Sequence, residues 1–149
     1  VSINPGMMTS TTPEWATPQD LFDDLDAKYG PFTLDPCATH DNAKCATYYT
    51  YFEDGLSQVW TGRVFMNPPY GRQIIKWVRK AYESAERGAM VVCLLPSRTD
   101  TAWWHDYCMK GEITFLRGRV YFEQEGKSDR APFPSAIVVF HSESEDDDG

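Results

Sequence analysis

Asn67-Pro68-Pro69-Tyr70-Gly71 follows the apolar run Arg63-Val64-Phe65-Met66 without a gap. Two prolines cannot donate to a sheet ladder, so the pattern predicts a buried strand that stops at Asn67. A residue before proline is driven to extended backbone, which keeps a helix from starting there and leaves carbonyl oxygens free. Asn67 then offers a side-chain acceptor and Pro68 a backbone acceptor, both fixed at a strand end. Two acceptors aimed at one point suit an amino group with two N–H donors, and Tyr70 supplies a flat face for a planar ring. The chemistry is recognition of an exocyclic amine on a heterocycle.

A second strand ends in the same way: in "FTLDPCA", residues 32–38, Asp35 is followed by Pro36. Ligands of open α/β sheets bind beyond the carboxyl ends of the strands, so "LDP" and "MNPP" predict one site at one sheet edge. The elements that must position them are legible on either side. "TPQDLFDDLDAKYG" predicts a helix with Thr17 as N-cap, Pro18 at the first helical position and Gly30 as the stop. Its apolar face is Leu21, Phe22, Leu25 and Tyr29. The stretch 41–56 is open between strand and turn, with β-prone aromatics before the acidic turn Glu53-Asp54-Gly55.

After the Asn-Pro-Pro turn, residues 72–88 predict a helix burying Ile74, Ile75, Trp77, Val78 and Tyr82, with Gly88 at its C-terminal end. "AMVVCLLP" predicts a fully buried strand, "TDTAWWHDYCMKG" a helix capped by Thr99, and "EITFL" a strand. Trp103 and Trp104 read as one core and one surface residue. "RVYF" and "PSAIVVF" predict two strands joined by the polar loop 123–133. Alternating strands and helices imply a mostly parallel α/β sheet with an antiparallel hairpin at the C-terminal end. Residues 14–142 form one domain in this reading, between a flexible stretch 1–13 and an acidic, solvated tail 143–149.

The 149 residues carry a net charge of −8, which taken whole argues against a nucleic-acid partner. The distribution argues otherwise. Residues 1–62 balance at −7, residues 63–142 at +4, and the tail 143–149 at −5. Fields in salt solution reach only about 10 Å, so the basic part can meet phosphate locally. Arg72 and Lys76, just past the turn, are candidate DNA contacts; Arg98, after "LLPS", is open between phosphate contact and plain solvation. No apolar run is long enough to span a membrane, and the four cysteines have no metal-ligand spacing. The expectations are reduced thiols in the cytoplasm, with no membrane and no metal.

The combined set "EWATPQDLFDDLDAKYGPFTLDPCAT", "NPPYG", "LLPSRTDTAWWH" and "GRVYF…PFPSAIVVF" resembles the phage-type DNA adenine-N6 methyltransferases, over roughly residues 14 to 140. The resemblance implies a compact, shortened Rossmann-like class I methyltransferase fold, S-adenosylmethionine as cofactor and double-stranded DNA as partner, in the host cytoplasm if phage-encoded. By resemblance, Asn67, Pro68 and Pro69 hold the adenine amine and Tyr70 stacks on the base. Asp35, Pro36 and Cys37 take the methionine end of the cofactor, and Trp15, Thr17 and Pro18 cover it. Phe122, in preference to Tyr121, supplies a second aromatic against the flipped base.

The chain departs from the pattern in three ways. No glycine-rich loop follows "LDP", since residues 36–54 contain no glycine; Glu53 or Asp54 is the expected ribose partner. The spacing from Asp35 to Asn67 is short for two complete βα units, and no separate target-recognition domain is visible. A GATC-like target rests on the family alone. RNA adenine and protein glutamine are alternative acceptors, because glutamine methyltransferases share the tetrapeptide. Cytosine C5 methylation would need a nucleophilic cysteine, and Cys37 follows the wrong strand for it. A catalytically dead binding module on the same fold is the reading from another class; methyl transfer would exclude it.

Overall fold

Met90–Pro96 (β2) is buried at every position, as an all-apolar strand covered on both faces must be. Around it a computed structural model, which describes residues 15–124 and 127–142, builds a four-stranded sheet. Arg63–Met66 (β1) pairs parallel to β2 on one side, with Phe65 opposite Val92. Ser135–Phe140 (β6) pairs antiparallel to β2 on the other, and Glu112–Phe115 (β3) pairs antiparallel to β6. The order is β1-β2-β6-β3. The 33–35 segment extends it past β1: Thr33 N–H donates to the Arg63 carbonyl at 2.7 Å and Phe65 N–H to the Leu34 carbonyl at 3.0 Å. Leu34 lies parallel to Val64, and Asp35 parallel to Tyr48. The predicted strand at "FTLDP" is thus a pair of single bridges.

Alternation along the strands separates two cores. Val64, Met66, Val91, Cys93 and Leu95 face the helix Ile74–Glu86 (α2), which buries Ile74, Trp77, Val78, Ala81 and Ala85 against them. Phe65, Val92, Leu94, Ile137 and Val139 face the helix Gln19–Tyr29 (α1), through Phe22, Leu25 and Tyr29. The result is a mixed α/β architecture with α1 on one face of the sheet and α2 on the other.

Four sequence expectations are corrected. Helix α1 starts at Gln19 with Pro18 at the N-cap and no side-chain cap; Thr17 is drawn instead into the site described below. Ala102–Asp106 (α3) is capped by Thr101, whose hydroxyl accepts from Trp104 N–H, and not by Thr99. Trp103 and Trp104 are both buried, because this short helix lies flat on the core. The loop expected at 123–133 contains a strand. Tyr121–Gln124 (β4) and Lys127–Arg130 (β5) form their own two-stranded antiparallel sheet, while β6 joins the main one. Gly30 and the C-terminal end of α2 at Arg87-Gly88 stand where the sequence puts them. The stretches 1–13 and 143–149 lie outside the described residues.

Candidate active site

The parallel register of Leu34 on Val64 brings the two proline-stopped strand ends side by side. The Cys37 thiol donates to the Asn67 carbonyl at 3.3 Å, joining "LDPC" to "MNPP". Gly71, with φ at +131°, closes the Asn-Pro-Pro-Tyr turn in a backbone conformation that favours glycine, and α2 follows directly.

Asn67 is fixed through its whole amide. Nδ2 donates to the Trp15 carbonyl at 2.5 Å and to Thr17 Oγ1 at 3.0 Å. Oδ1 accepts from the Tyr70 hydroxyl at 2.9 Å. That hydroxyl also lies 3.1 Å from the carbonyl of Leu94 in β2. The donors on Nδ2 orient the amide, so Oδ1 faces the Tyr70 side, and an amide oxygen keeps a second lone pair for another donor. The Tyr70 ring is half-buried but its hydroxyl is sunk in the protein. Burial first, then the neighbouring Cys37 and Cys93 thiols, push its pKa well above the usual phenol range, so it remains a donor.

Asp35 is buried at the neighbouring strand end. Its Oδ2 accepts from Lys44 N–H at 3.1 Å. Burial pushes its pKa up to about 6, opposed by hydrogen bonds from the Lys44 and Cys37 backbones and by the Lys44 charge. Among the described residues no cationic side chain forms an ion pair with it; Lys44 Nζ donates to Gln19 Oε1. The Cys37 thiol is pushed well up by burial first and the Asp35 charge second, which keeps it protonated and a poor nucleophile.

Trp15, Tyr70, Phe122 and Phe133 gather into one aromatic cluster. Trp15 and Tyr70 are stacked, with centroids 6.4 Å apart and planes at 24°. Phe122 and Phe133 meet both rings edge-on, at 5.3 to 6.2 Å. The backbone supports this: Glu123 N–H donates to the Ala16 carbonyl at 3.0 Å, laying the Trp15 segment along β4.

The structure thus brings Asn67, Tyr70, Trp15 and Thr17 together, with Pro68 buried and Pro69 half-buried in the turn. Pro18 caps α1 and Pro36 is buried beside Asp35. Phe122 is fully buried, while Tyr121 is exposed; alternation along β4 turns Phe122 inward, so it backs the cluster and does not present a free face. Glu53 is engaged locally: Oε1 accepts from Thr50 N–H at 2.6 Å and Thr50 Oγ1 at 2.7 Å. Those bonds, the hydroxyl's first, hold its carboxyl below the usual range. Asp54 turns the chain with φ at +54°. The loop still abuts the site, because Gly55 packs so closely on the Pro36 carbonyl that a Cβ would lie 2.1 Å from its oxygen. Arg72 and Lys76 are exposed at the start of α2. Arg98 is exposed too, with its guanidinium 5.8 Å from the Phe133 ring centre.

Sequence reasoning misses Phe133 and the Leu94 carbonyl. The first carries a signal, a lone aromatic between Pro132 and Pro134 ahead of a strand; the second is backbone and carries none. Among the described residues no group of three or more His, Cys, Asp or Glu could hold a metal ion, and no helix is long and apolar enough to cross a membrane.

Comparison with known proteins gives the site a context. Residues 7–147 match the family model described as DNA N-6-adenine-methyltransferase (Dam). A protein of Haemophilus phage HP1 named DNA N-6-adenine-methyltransferase is 31% identical over 134 residues, 85% of this chain and 77% of that protein. One of the same name from Escherichia phage T1 is 35% identical over 92 residues, 60% of this chain. That alignment spans 38% of the T1 protein's length.

Proposed function

The chain belongs to the DNA N-6-adenine-methyltransferase (Dam) family, and from that membership we propose its reaction: transfer of a methyl group from S-adenosylmethionine to the N6 amine of an adenine turned out of duplex DNA. The observation that carries the reading is the Asn67 amide, held from three sides at a strand end beside the buried Asp35. The sheet, with segment 33–35, β1 and β2 parallel and β6 running against β2 and β3, supports a shortened Rossmann-like class I methyltransferase core, with residues 14–142 as one domain.

A cationic cofactor suits the residues present. Asp35 is a buried carboxylate with backbone donors and no ion-pair partner among the described residues, a setting that an ammonium would relieve. Asp35, Pro36 and Cys37 would hold the methionine end, and the adjoining loop at Glu53 and Asp54 the ribose. When bound, the cofactor supplies an electrophilic sulfonium methyl.

The protein's own part is positioning. Extruding a base costs a few kcal/mol, which stacking on an aromatic offsets by about 1–3 kcal/mol. The second lone pair of Asn67 Oδ1 and the Pro68 carbonyl accept the two amine hydrogens, draw density onto nitrogen and aim its lone pair out of the strand end. The nitrogen would gain the methyl as the S–CH3 bond breaks and the cofactor leaves as a neutral thioether, and its surplus proton would pass to solvent; no residue forms a covalent bond. Arg72, Lys76 and Arg98 meet phosphates.

Labelled-methyl transfer to duplex DNA, RNA and protein, followed by digestion, tests this. The label is expected in N6-methyladenine from duplex DNA. Label in 5-methylcytosine, RNA or glutamine would overturn it.

A further inference from the structure

We infer that the two-stranded ribbon β4–β5 reads DNA sequence, and that Arg130 on its outer face selects a guanine near the extruded adenine. The inference rests on the reaction proposed above and gives a reading surface to a chain that shows no separate domain for it.

Three observations carry it. The ribbon is a sheet of its own, yet one edge is fastened to the active site. Glu123 N–H donates to the Ala16 carbonyl at 3.0 Å, and Phe122 packs edge-on against Trp15. Strand β4 is thus the inner strand and β5 the outer one, with Tyr121 opposite Arg130 and Glu123 opposite Ser128. Alternation then separates the two faces. Phe122 turns toward the cluster, so Tyr121, Glu123, Ser128 and Arg130 share the opposite face, and all four are exposed. Among the described residues, none of these four side chains is engaged in a hydrogen bond or an ion pair. Strand β5, Lys-Ser-Asp-Arg, buries no apolar side chain, so core packing does not account for its presence.

The major groove of B-DNA, about 12 Å wide, admits a two-stranded ribbon. The residue types on this face are the ones that read base edges there. Arginine is bidentate to guanine O6 and N7, glutamate accepts from the cytosine amine, and serine serves either. Strands lie about 4.8 Å apart and residues rise about 3.3 Å along each, so the Arg130 backbone stands roughly 6 Å from that of Phe122. Base pairs stack about 3.4 Å apart, which puts the guanine within about three base pairs of the adenine. Arg117, exposed just ahead of β4, flanks the ribbon and meets a phosphate, a contact that positions without reading.

The test maps methylated sites by sequencing, on genomic DNA free of the modification, for wild type, Arg130→Ala and Arg117→Ala. Wild type is expected to require a guanine at one position near the methylated adenine. Arg130→Ala should lose roughly 5- to 150-fold of that preference and keep the rest of the site. Arg117→Ala should slow methylation at all sites alike and flatten the salt dependence of DNA binding. An unchanged preference in Arg130→Ala, or a loss spread evenly over all sequences, would overturn the inference. A measurement on the unaltered protein guards against a variant that fails to fold. Bound to its preferred site, wild type should shield the N7 of that guanine, which lines the major groove, from dimethyl sulfate. A fully reactive N7 would overturn the reading. Methyl transfer with no preference for flanking bases would sink the ribbon and leave the reaction standing; shielding without methyl transfer would do the reverse.

Discussion

The Tyr70 hydroxyl and the Asn67 side chain are bonded to each other, 2.9 Å from oxygen to Oδ1 across three residues of chain. The sequence assigns Tyr70 only a ring face, on which Tyr70→Phe would be nearly silent. The bond changes that expectation. Losing it should cost about 1 kcal/mol of stability and lower kcat several-fold by freeing Asn67 Oδ1 to turn. Tyr70→Ala should lose a further 1–3 kcal/mol or so of stacking, seen in DNA affinity. Steady-state kinetics decide it: a Phe variant with wild-type kcat would show that the hydroxyl orients nothing.

Asn67→Ala should abolish methyl transfer and leave cofactor affinity within a few fold, since it removes the amine's acceptor and leaves Asp35 in place. It also unpairs the Trp15 carbonyl and Thr17 Oγ1, so the melting temperature should fall, by roughly 1–3 kcal/mol of stability. Calorimetry beside an activity assay separates the two effects. Near wild-type turnover would remove Asn67 from the mechanism.

If Asp35 holds the cofactor's ammonium as proposed, cofactor binding should depend on pH. Its folded pKa, about 6, lies above the ordinary 3.8, so between those values the folded state holds the proton more tightly than the unfolded state. Ionisation of Asp35 therefore costs stability as pH rises from about 4 to 6, by at most about 3 kcal/mol, and the full cost remains above pH 6. Asp35→Asn, which keeps an acceptor for Lys44 N–H, should melt higher than wild type at pH 8 and no higher at pH 4. Cofactor affinity of the wild type should weaken below about pH 6 and be lost in the variant at all pH values. An Asn variant that binds cofactor normally would place the methionine end elsewhere.

DNA affinity should fall with salt at a log–log slope of about −3 to −6, the release expected from a handful of phosphate contacts. Arg72→Glu or Lys76→Glu should flatten that slope and weaken binding to all sequences alike. Deletion from Glu143 onward removes five negative charges and should leave binding unchanged or stronger. Weaker binding after that deletion would place the phosphate-facing surface elsewhere.

Strand β2, helix α2 and the Asn-Pro-Pro turn were legible because local pattern decides them: a continuous apolar run, a helical repeat and two prolines. The bond from Asn67 to Thr17 was not, since the two are 50 residues apart and that bond overrides a local capping preference. Strand β5, Lys-Ser-Asp-Arg, is exposed at all four positions, so it leaves no alternation of apolar and polar residues to read. The aromatic cluster was visible as rings and invisible as a group. Trp15, Tyr70, Phe122 and Phe133 come from four separate segments, and only the sheet edge assembles them.

The place of β6 between β2 and β3 governs how this protein can be made. Strand β3 has emerged from the ribosome some twenty residues before Ser135 does, yet among the described strands its sheet partner is β6 alone. Until residues 135–140 are available, the apolar strand β2 presents an unpaired edge and β3 has no partner, and unpaired edges invite pairing with other chains. Most of the sheet's closure is thus deferred to long-range pairing late in synthesis, the slow kind. Ribosome-stalled chains that expose only residues up to Pro134 should be protease-sensitive and prone to aggregate, and chains exposing Phe140 should become resistant.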